Sequence, residues 1–283
     1  MKCISCNNSE LKKYSDTSYL NLPIYCCKKC GLCVTGESED VARQAISEIY
    51  TGKYWDERNS EISIQTDYSD VDSQGKKRNW LSQISYCSNF LKDKKTILEI
   101  GAGAGQASYW FEKSGFIVTG IEPDKRNSQL INQKLKHGKC ISSFIEDLDM
   151  TEKFDIIWMS HVLEHLIRPD IFLQKINNNL NPSGIFFIEV PNCENQSLLK
   201  STILTQPHTY HFSQKSLANI CQNAGFRILA SDYFRPASYI EGGINKFVIK
   251  CSRVLKFNPY PYYPRIKTDA KHGRDLRIIL SLA

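Results

Sequence analysis

Three groups of residues in this 283-residue chain have types and spacings that suit chemistry. The first is Gly101, Gly103 and Gly105, which follow Thr96-Ile97-Leu98-Glu99-Ile100. Glycine has no Cβ, so the backbone can turn sharply there and a ligand can lie against it. The next apolar run, Phe116 to Ile121, ends in Glu122. That acid stands where a βαβ nucleotide site places the carboxylate that holds a ribose. The second group is cysteine. Cys3-x-x-Cys6 and Cys27-x-x-Cys30 have the spacing of a zinc ribbon, each pair supplying half of a tetrahedral site. Asn7 and Gly31 follow the pairs and tolerate the positive φ that such turns need. Cys26 and Cys33 are extra, and Cys30-x-x-Cys33 is an alternative pair. The third group is histidine. Four of the six, His161, His165, His208 and His211, fall in two loops that cap the carboxyl edge of the expected sheet.

The elements that must position these groups follow from periodicity. Strands are expected at 96–100, 117–122, 139–144, 154–160, 184–190, 227–233 and 275–282, and helices at 105–114, 125–136, 169–180 and 213–224. Alternating strands and helices predict an α/β fold: a Rossmann-like, doubly wound, seven-stranded sheet covered on both faces, with a small N-terminal zinc ribbon. Asn181-Pro182-Ser183-Gly184 reads as a turn. The organisation expected is a ribbon at 1–36, a helical connecting region at 37–95, and a main domain at 96–283 with an insertion at about 234–274. In the connecting region 40–50 and 78–91 read as helices, and Tyr50, Tyr54 and Trp55 follow each other closely.

The glycine spacing is E-x-G-x-G-x-G; a dinucleotide fingerprint would need glycine where Gln106 stands. It resembles motif I of the class I S-adenosylmethionine-dependent methyltransferases. Phe154-Asp155-Ile156-Ile157, His161-Val162-Leu163-Glu164-His165 and Pro207-His208-Thr209-Tyr210-His211-Phe212-Ser213 resemble later segments of that family. A cysteine-rich leader joined to such a domain is similar to a subgroup of sugar and surface-polysaccharide methyltransferases. The resemblance implies that Glu99 and the backbone of Gly101, Ala102, Gly103 and Gly105 meet the methionine half of the cofactor. It implies that Glu122 and Pro123 hold the ribose, and that Ile145 and Glu146 meet adenine where many relatives carry an aspartate at the position of Phe144. Ser160 and His161 would face the sulfonium. His161, His165 and His208 are the candidate bases.

The function expected on that resemblance is O-methylation of a sugar or sugar nucleotide in surface-polysaccharide synthesis, with a structural Zn²⁺ at Cys3, Cys6, Cys27 and Cys30. A subgroup of sugar C-methyltransferases has a Glu-His-x-x-Tyr-Phe-Ser segment; Pro207 replaces its glutamate here, which favours oxygen over carbon. An RNA methyltransferase is the rival expectation, because Lys246 to Arg277 holds nine Lys or Arg against Asp269 and Asp275. The same segment would allow weak contact with a membrane surface. A non-catalytic scaffold is a third reading, opposed by the intact acids and glycines. Eleven cysteines without an apolar leader argue against a disulfide scaffold and for the cytoplasm. The insertion, with Tyr239, Tyr260, Tyr262 and Tyr263, is expected to cover the acceptor.

Overall fold

Burial alternates along the central strands as their sequence demands. In Phe154–Ser160, Ile156 and Trp158 pack into the cluster on one face, with Phe111 and Trp80, while Ile157 and Met159 pack into the cluster on the other, with Leu173 and Leu217. A strand apolar on both faces belongs inside a covered parallel sheet. The computed structural model describes residues 2–36, 39–51, 79–238, 241 and 264–283. Tyr54, Trp55, Tyr239, Tyr260, Tyr262, Tyr263 and most of the insertion lie outside the described residues, as does the side chain of Tyr50.

The strands are β1 (Leu11–Ser15), β2 (Ile24–Cys27), β3 (Cys33–Thr35), β4 (Thr96–Ile100), β5 (Ile117–Ile121), β6 (Lys139–Ile141), β7 (Phe154–Ser160), β8 (Leu180–Pro191), β9 (Tyr210–His211), β10 (Phe226–Pro236), β11 (Arg265–Thr268) and β12 (Asp275–Leu282). The helices are α1 (Glu39–Thr51), α2 (Asn79–Cys87), α3 (Gln106–Lys113), α4 (Lys125–Lys134), α5 (Pro169–Ile176), α6 (Gln196–Thr205) and α7 (Gln214–Asn223). The main sheet has the order β11-β10-β12-β8-β7-β4-β5-β6. β6 to β8 are parallel, and β12 lies antiparallel between β8 and β10. All seven expected strands are in this sheet. The eighth, β11, comes from the expected insertion and pairs with β10 from Tyr233↔Thr268 to Pro236↔Arg265.

Three local expectations need correction. Asn181 to Gly184 is no free turn: it lies inside β8, as an irregularity where pairing with β7 slips between Phe154 and Ile156. Residues 196–205, where no helix is expected from periodicity, form α6. Asn195 caps it by accepting from the Leu198 amide at 3.1 Å, and Leu199 and Ile203 are its buried stripe. The N-terminal unit does not end at its own boundary. Its strands continue into β9, in the order β1-β2-β3-β9, through Cys33↔His211 and Val34↔Tyr210.

The basic segment is partly spent inside the protein. Arg277 is fully buried, Arg265 pairs with Asp275 at 2.7 Å and Lys267 with Asp232 at 2.9 Å. Among the described residues no helix is long and apolar enough to cross a membrane.

Candidate active site

The strand-to-helix turn after β4 opens at the carboxyl edge, where ligands bind in such sheets. Gly101 has φ +70°, and a Cβ there would stand 2.3 Å from Val162 Cγ2, so only glycine fits. Gly103 has φ +56°, and a Cβ there would meet nothing within 4 Å. That free space is a cradle beside a carboxylate. The Gly103 amide donates to Glu122 Oε2 at 2.7 Å, and the Asp124 amide donates to Oε1 at 3.0 Å. Two backbone donors thus fix the orientation of Glu122 before any ligand arrives. Burial, which outweighs those donors, pushes Glu122 up to about 7.

A cleft of about 480 Å³ runs from this turn across β7. Of the residues assigned to cofactor or catalysis from sequence, Gly101, Gly103, Glu122, Pro123, Ile145, Glu146, His161, His165 and His208 line it. Ala102, Gly105, Glu99 and Ser160 do not. Ala102 and Gly105 close the turn from beneath, the Gly105 amide donating to the Ala102 carbonyl at 2.8 Å. Glu99 points to the α3 face with Ile97, is buried, and accepts from the Ser108 hydroxyl; burial pushes it up to about 7. Direct contact of its side chain with a cofactor is therefore not what this geometry offers. Ser160 accepts from Gln83 Nε2 at 2.9 Å and faces Glu189. The Glu146 carboxylate accepts from the Ile167 amide at 3.2 Å.

The histidines form the opposite wall. His161 has φ +55°, a left-handed conformation that L-residues rarely hold, and its amide donates to the Glu189 carbonyl at 2.8 Å. Its ring sits between Glu189 Oε1 at 3.1 Å and Glu164 Oε1 at 3.4 Å. Desolvation opposes charge on this ring, but the two carboxylates prevail and raise its pKa well above the usual value. His165 and His208 meet edge to face, 4.8 Å between ring centres. His165 Nδ1 lies 3.0 Å from the Pro207 carbonyl, which can only accept, so Nδ1 carries a hydrogen. His211 is buried outside the cleft; burial and the nearby His165 push it down to about 3.

Sequence reasoning did not single out the support behind His161. Glu189 and Arg277 are both fully buried, with Arg277 Nε donating to Glu189 Oε2 at 2.5 Å. Gln83 of α2 donates to Glu189 Oε1 at 2.6 Å, and Arg277 also donates to Ser82 Oγ at 2.8 Å. Burial raises the Glu189 carboxyl, but Arg277 and His161 together outweigh it and hold the group well below the ordinary range. An acid inside the apolar run Ile185-Phe186-Phe187-Ile188-Glu189-Val190 was the available signal. Ile46 of α1 and Gln206 after α6 also line the cleft, so the connecting region contributes a wall.

The cysteines gather at the far side of β3. Cys3, Cys6, Cys27 and Cys30 place their sulfurs within 4.8 Å of one another, with Cys3–Cys30 at 3.5 Å and Cys6–Cys27 at 3.6 Å. A tetrahedral site with Zn–S bonds of about 2.3 Å sets sulfurs about 3.8 Å apart, so the four fit such an ion. Cys26 and Cys33, cross-strand neighbours on β2 and β3, are joined in a disulfide. Neither is then available as a ligand, and the alternative pair Cys30-x-x-Cys33 falls away.

Residues 72–231 match the family model described as "Methyltransferase domain". An uncharacterized methyltransferase of Alkaliphilus oremlandii is 35% identical over 98 residues, which cover 33% of this chain and 45% of that protein. A ubiquinone biosynthesis O-methyltransferase of Nitrobacter winogradskyi is 34% identical over 95 residues, covering 31% and 36%. The chain thus spans less than half the length of these curated relatives. Among solved structures, the plantazolicin methyltransferase BpumL with S-adenosylhomocysteine (SAH) and a substrate analogue superposes with a TM-score of 0.53. That match is at 16% identity over 85% of this chain and 98% of that one. An S-adenosylmethionine-dependent methyltransferase of Clostridium acetobutylicum gives 0.55 at 11% identity, over 80% and 99%. At these identities the structures share the fold.

Proposed function

The chain belongs to the methyltransferase-domain family, and from that membership we propose that it moves a methyl group from S-adenosylmethionine to a hydroxyl oxygen of a small acceptor. The observation that carries this reading is the contact between the Gly103 amide and Glu122 at the open end of β4 and β5, with imidazoles on the facing wall. When bound, S-adenosylmethionine supplies an activated methyl on a sulfonium. The chain's residues then have two tasks. Gly101 and Gly103 take the amino-acid end along exposed backbone, with Ala102 and Gly105 shaping the turn. Glu122 and Pro123 take the ribose, and Ile145 and Glu146 flank the base. Glu99 acts from beneath, by tying Ser108 and α3 to β4.

Holding donor and acceptor in line is worth effective molarities that can reach roughly 10⁵ M or more. A hydroxyl must also lose its proton, and that falls to the cluster of His161, His165 and His208. The position of all three rings on the cleft wall supports this assignment. For the acceptor we put a sugar or sugar-nucleotide hydroxyl first, on the likeness of the cysteine-led chain and of Pro207 to Ser213 to sugar methyltransferases. Relatives named as O-methyltransferases support oxygen as the target atom. RNA is less well supported, because Arg265, Lys267 and Arg277 are engaged within the fold. We assign one structural zinc to Cys3, Cys6, Cys27 and Cys30.

A panel of sugar nucleotides and small phenols, assayed with labelled S-adenosylmethionine, tests the acceptor class. With the acceptor in hand, alanine at His161, His165 or His208 should lower turnover by about 10²-fold or more in at least one case, while SAH affinity stays near wild type. If all three variants keep more than about a tenth of wild-type kcat, below the loss expected of a general base, the histidine assignment fails.

A further inference from the structure

Arg274 is a cation of the cleft that the fold leaves unpaired. It lines the cleft, is exposed, and its side chain has no partner among the described residues. Its backbone is already used. The amide donates to the Phe234 carbonyl at 2.7 Å, and the carbonyl accepts from the Asn192 amide at 2.9 Å. What remains for a ligand is the guanidinium, a planar fork of donors that matches a phosphate or a carboxylate.

The acids that could have neutralised it are answered elsewhere. Asp275, its neighbour in the chain, pairs with Arg265 at 2.7 Å. Glu189 is held by Arg277 and Gln83, and Glu164 lies 3.4 Å from His161 Nδ1. Glu122 accepts from the Gly103 and Asp124 amides, and Glu146 from the Ile167 amide. Pro191, Leu198 and Thr202, which line the cleft from β8 and α6, carry no charge.

The strand register places Arg274 relative to the histidines. Asp275 pairs with Pro191, the last residue of β8, so Arg274 stands at the carboxyl edge of the parallel strands. The glycine turn and His161 open at that same edge. In the order β12-β8-β7, β12 is two strands from β7. Strands lie about 4.8 Å apart, which sets the Arg274 backbone about 10 Å from the end of β7. A substrate with one sugar ring between its reacting hydroxyl and an anionic group would bridge that gap.

We propose that Arg274 binds an oxoanion of the acceptor, a phosphate or a carboxylate, and so selects acidic acceptors over neutral ones. The inference rests on the methyl-transfer reading and narrows its acceptor class. The anion is unchanged by methyl transfer, so the contact acts on ground and transition states alike. Its loss would raise KM with little change in kcat.

Two simple anions serve as probes, inorganic pyrophosphate for phosphate and malonate for carboxylate. Each is titrated calorimetrically into the full chain, with and without SAH, at fixed ionic strength. The expected result is saturable binding of at least one probe at one per chain. Arg274→Gln should weaken it at least about tenfold, as loss of a hydrogen bond to a charged group requires, with SAH affinity within a few-fold of wild type. Arg274→Lys, which keeps the charge but not the fork, should weaken it less. Whichever probe depends on Arg274 identifies the anion. Saturation by neither probe, or equal affinity in Arg274→Gln, would overturn the proposal. Failure of SAH to bind the folded wild type would instead remove the methyl-transfer reading, and the titrations without SAH would still report on Arg274.

Discussion

At the scale of single residues, the ribose role proposed for Glu122 would link cofactor binding to pH. Its pKa, like that of Glu99, is raised by burial to about 7 from the ordinary 4.5. The folded state therefore holds protons that the unfolded chain releases, so between about 4.5 and 7 stability falls as pH rises. Its contribution is fully present below 4.5 and is lost as pH passes through 7. Ribose hydroxyls need the ionised form as acceptor, so SAH affinity should move the opposite way, weakening as pH drops below 7. Calorimetric titrations across that range check this, and in Glu122→Gln the pH dependence should flatten. The Glu189–Arg277 pair yields a second expectation. Replacing Arg277 with Met leaves a buried carboxylate uncompensated and should cost about 3–5 kcal/mol in urea denaturation. A loss below about 1 kcal/mol, the size of a surface pair, would mean that Glu189 is served well enough by Gln83 and His161. The place of Glu122 at the open end of β5 was legible in the sequence because it depends on local spacing. Glu189 and Arg277 were not, because residues 88 positions apart meet only once β8 and β12 pair.

At the scale of elements, the cysteine module is connected to the cleft. β3 pairs with β9, the Thr35 amide donates to the Thr209 carbonyl at 3.0 Å, and Ser213 Oγ donates to the Cys30 carbonyl at 2.5 Å. The segment so held carries His208. The short module's own strands cannot build much core, so a metal would supply much of its folding energy. Metal analysis should find the proposed one zinc per chain, and Cys27→Ser with Cys30→Ser should remove it. The double substitution should also lower turnover while leaving SAH affinity within a few-fold, because Gly103 and Glu122 follow β4 and β5, strands of the other sheet. Unchanged zinc content in that variant would contradict the four-cysteine assignment. The cysteine spacing was readable from sequence. The docking was not: β9 is only two residues long, too short to show a period.

At the scale of the whole molecule, the order of strands and helices was the most legible feature, since each central strand is apolar on both faces and each helix carries a stripe. The extra edge strand β11 and helix α6 were not, one lying in a segment dominated by charge and proline, the other carrying a weaker stripe. The fold brings a glycine turn, a ribose-type acid and a histidine wall to one cleft, and the central claim is that S-adenosylmethionine binds there. Isothermal calorimetry with SAH, on wild type and Glu122→Ala side by side, tests it most directly. The account predicts one saturable site per chain and a loss of at least about tenfold in the variant, as a hydrogen bond to a charged group worth roughly 1.5–3 kcal/mol requires. No heat of binding in the folded wild type, or equal affinity in the variant, would contradict it.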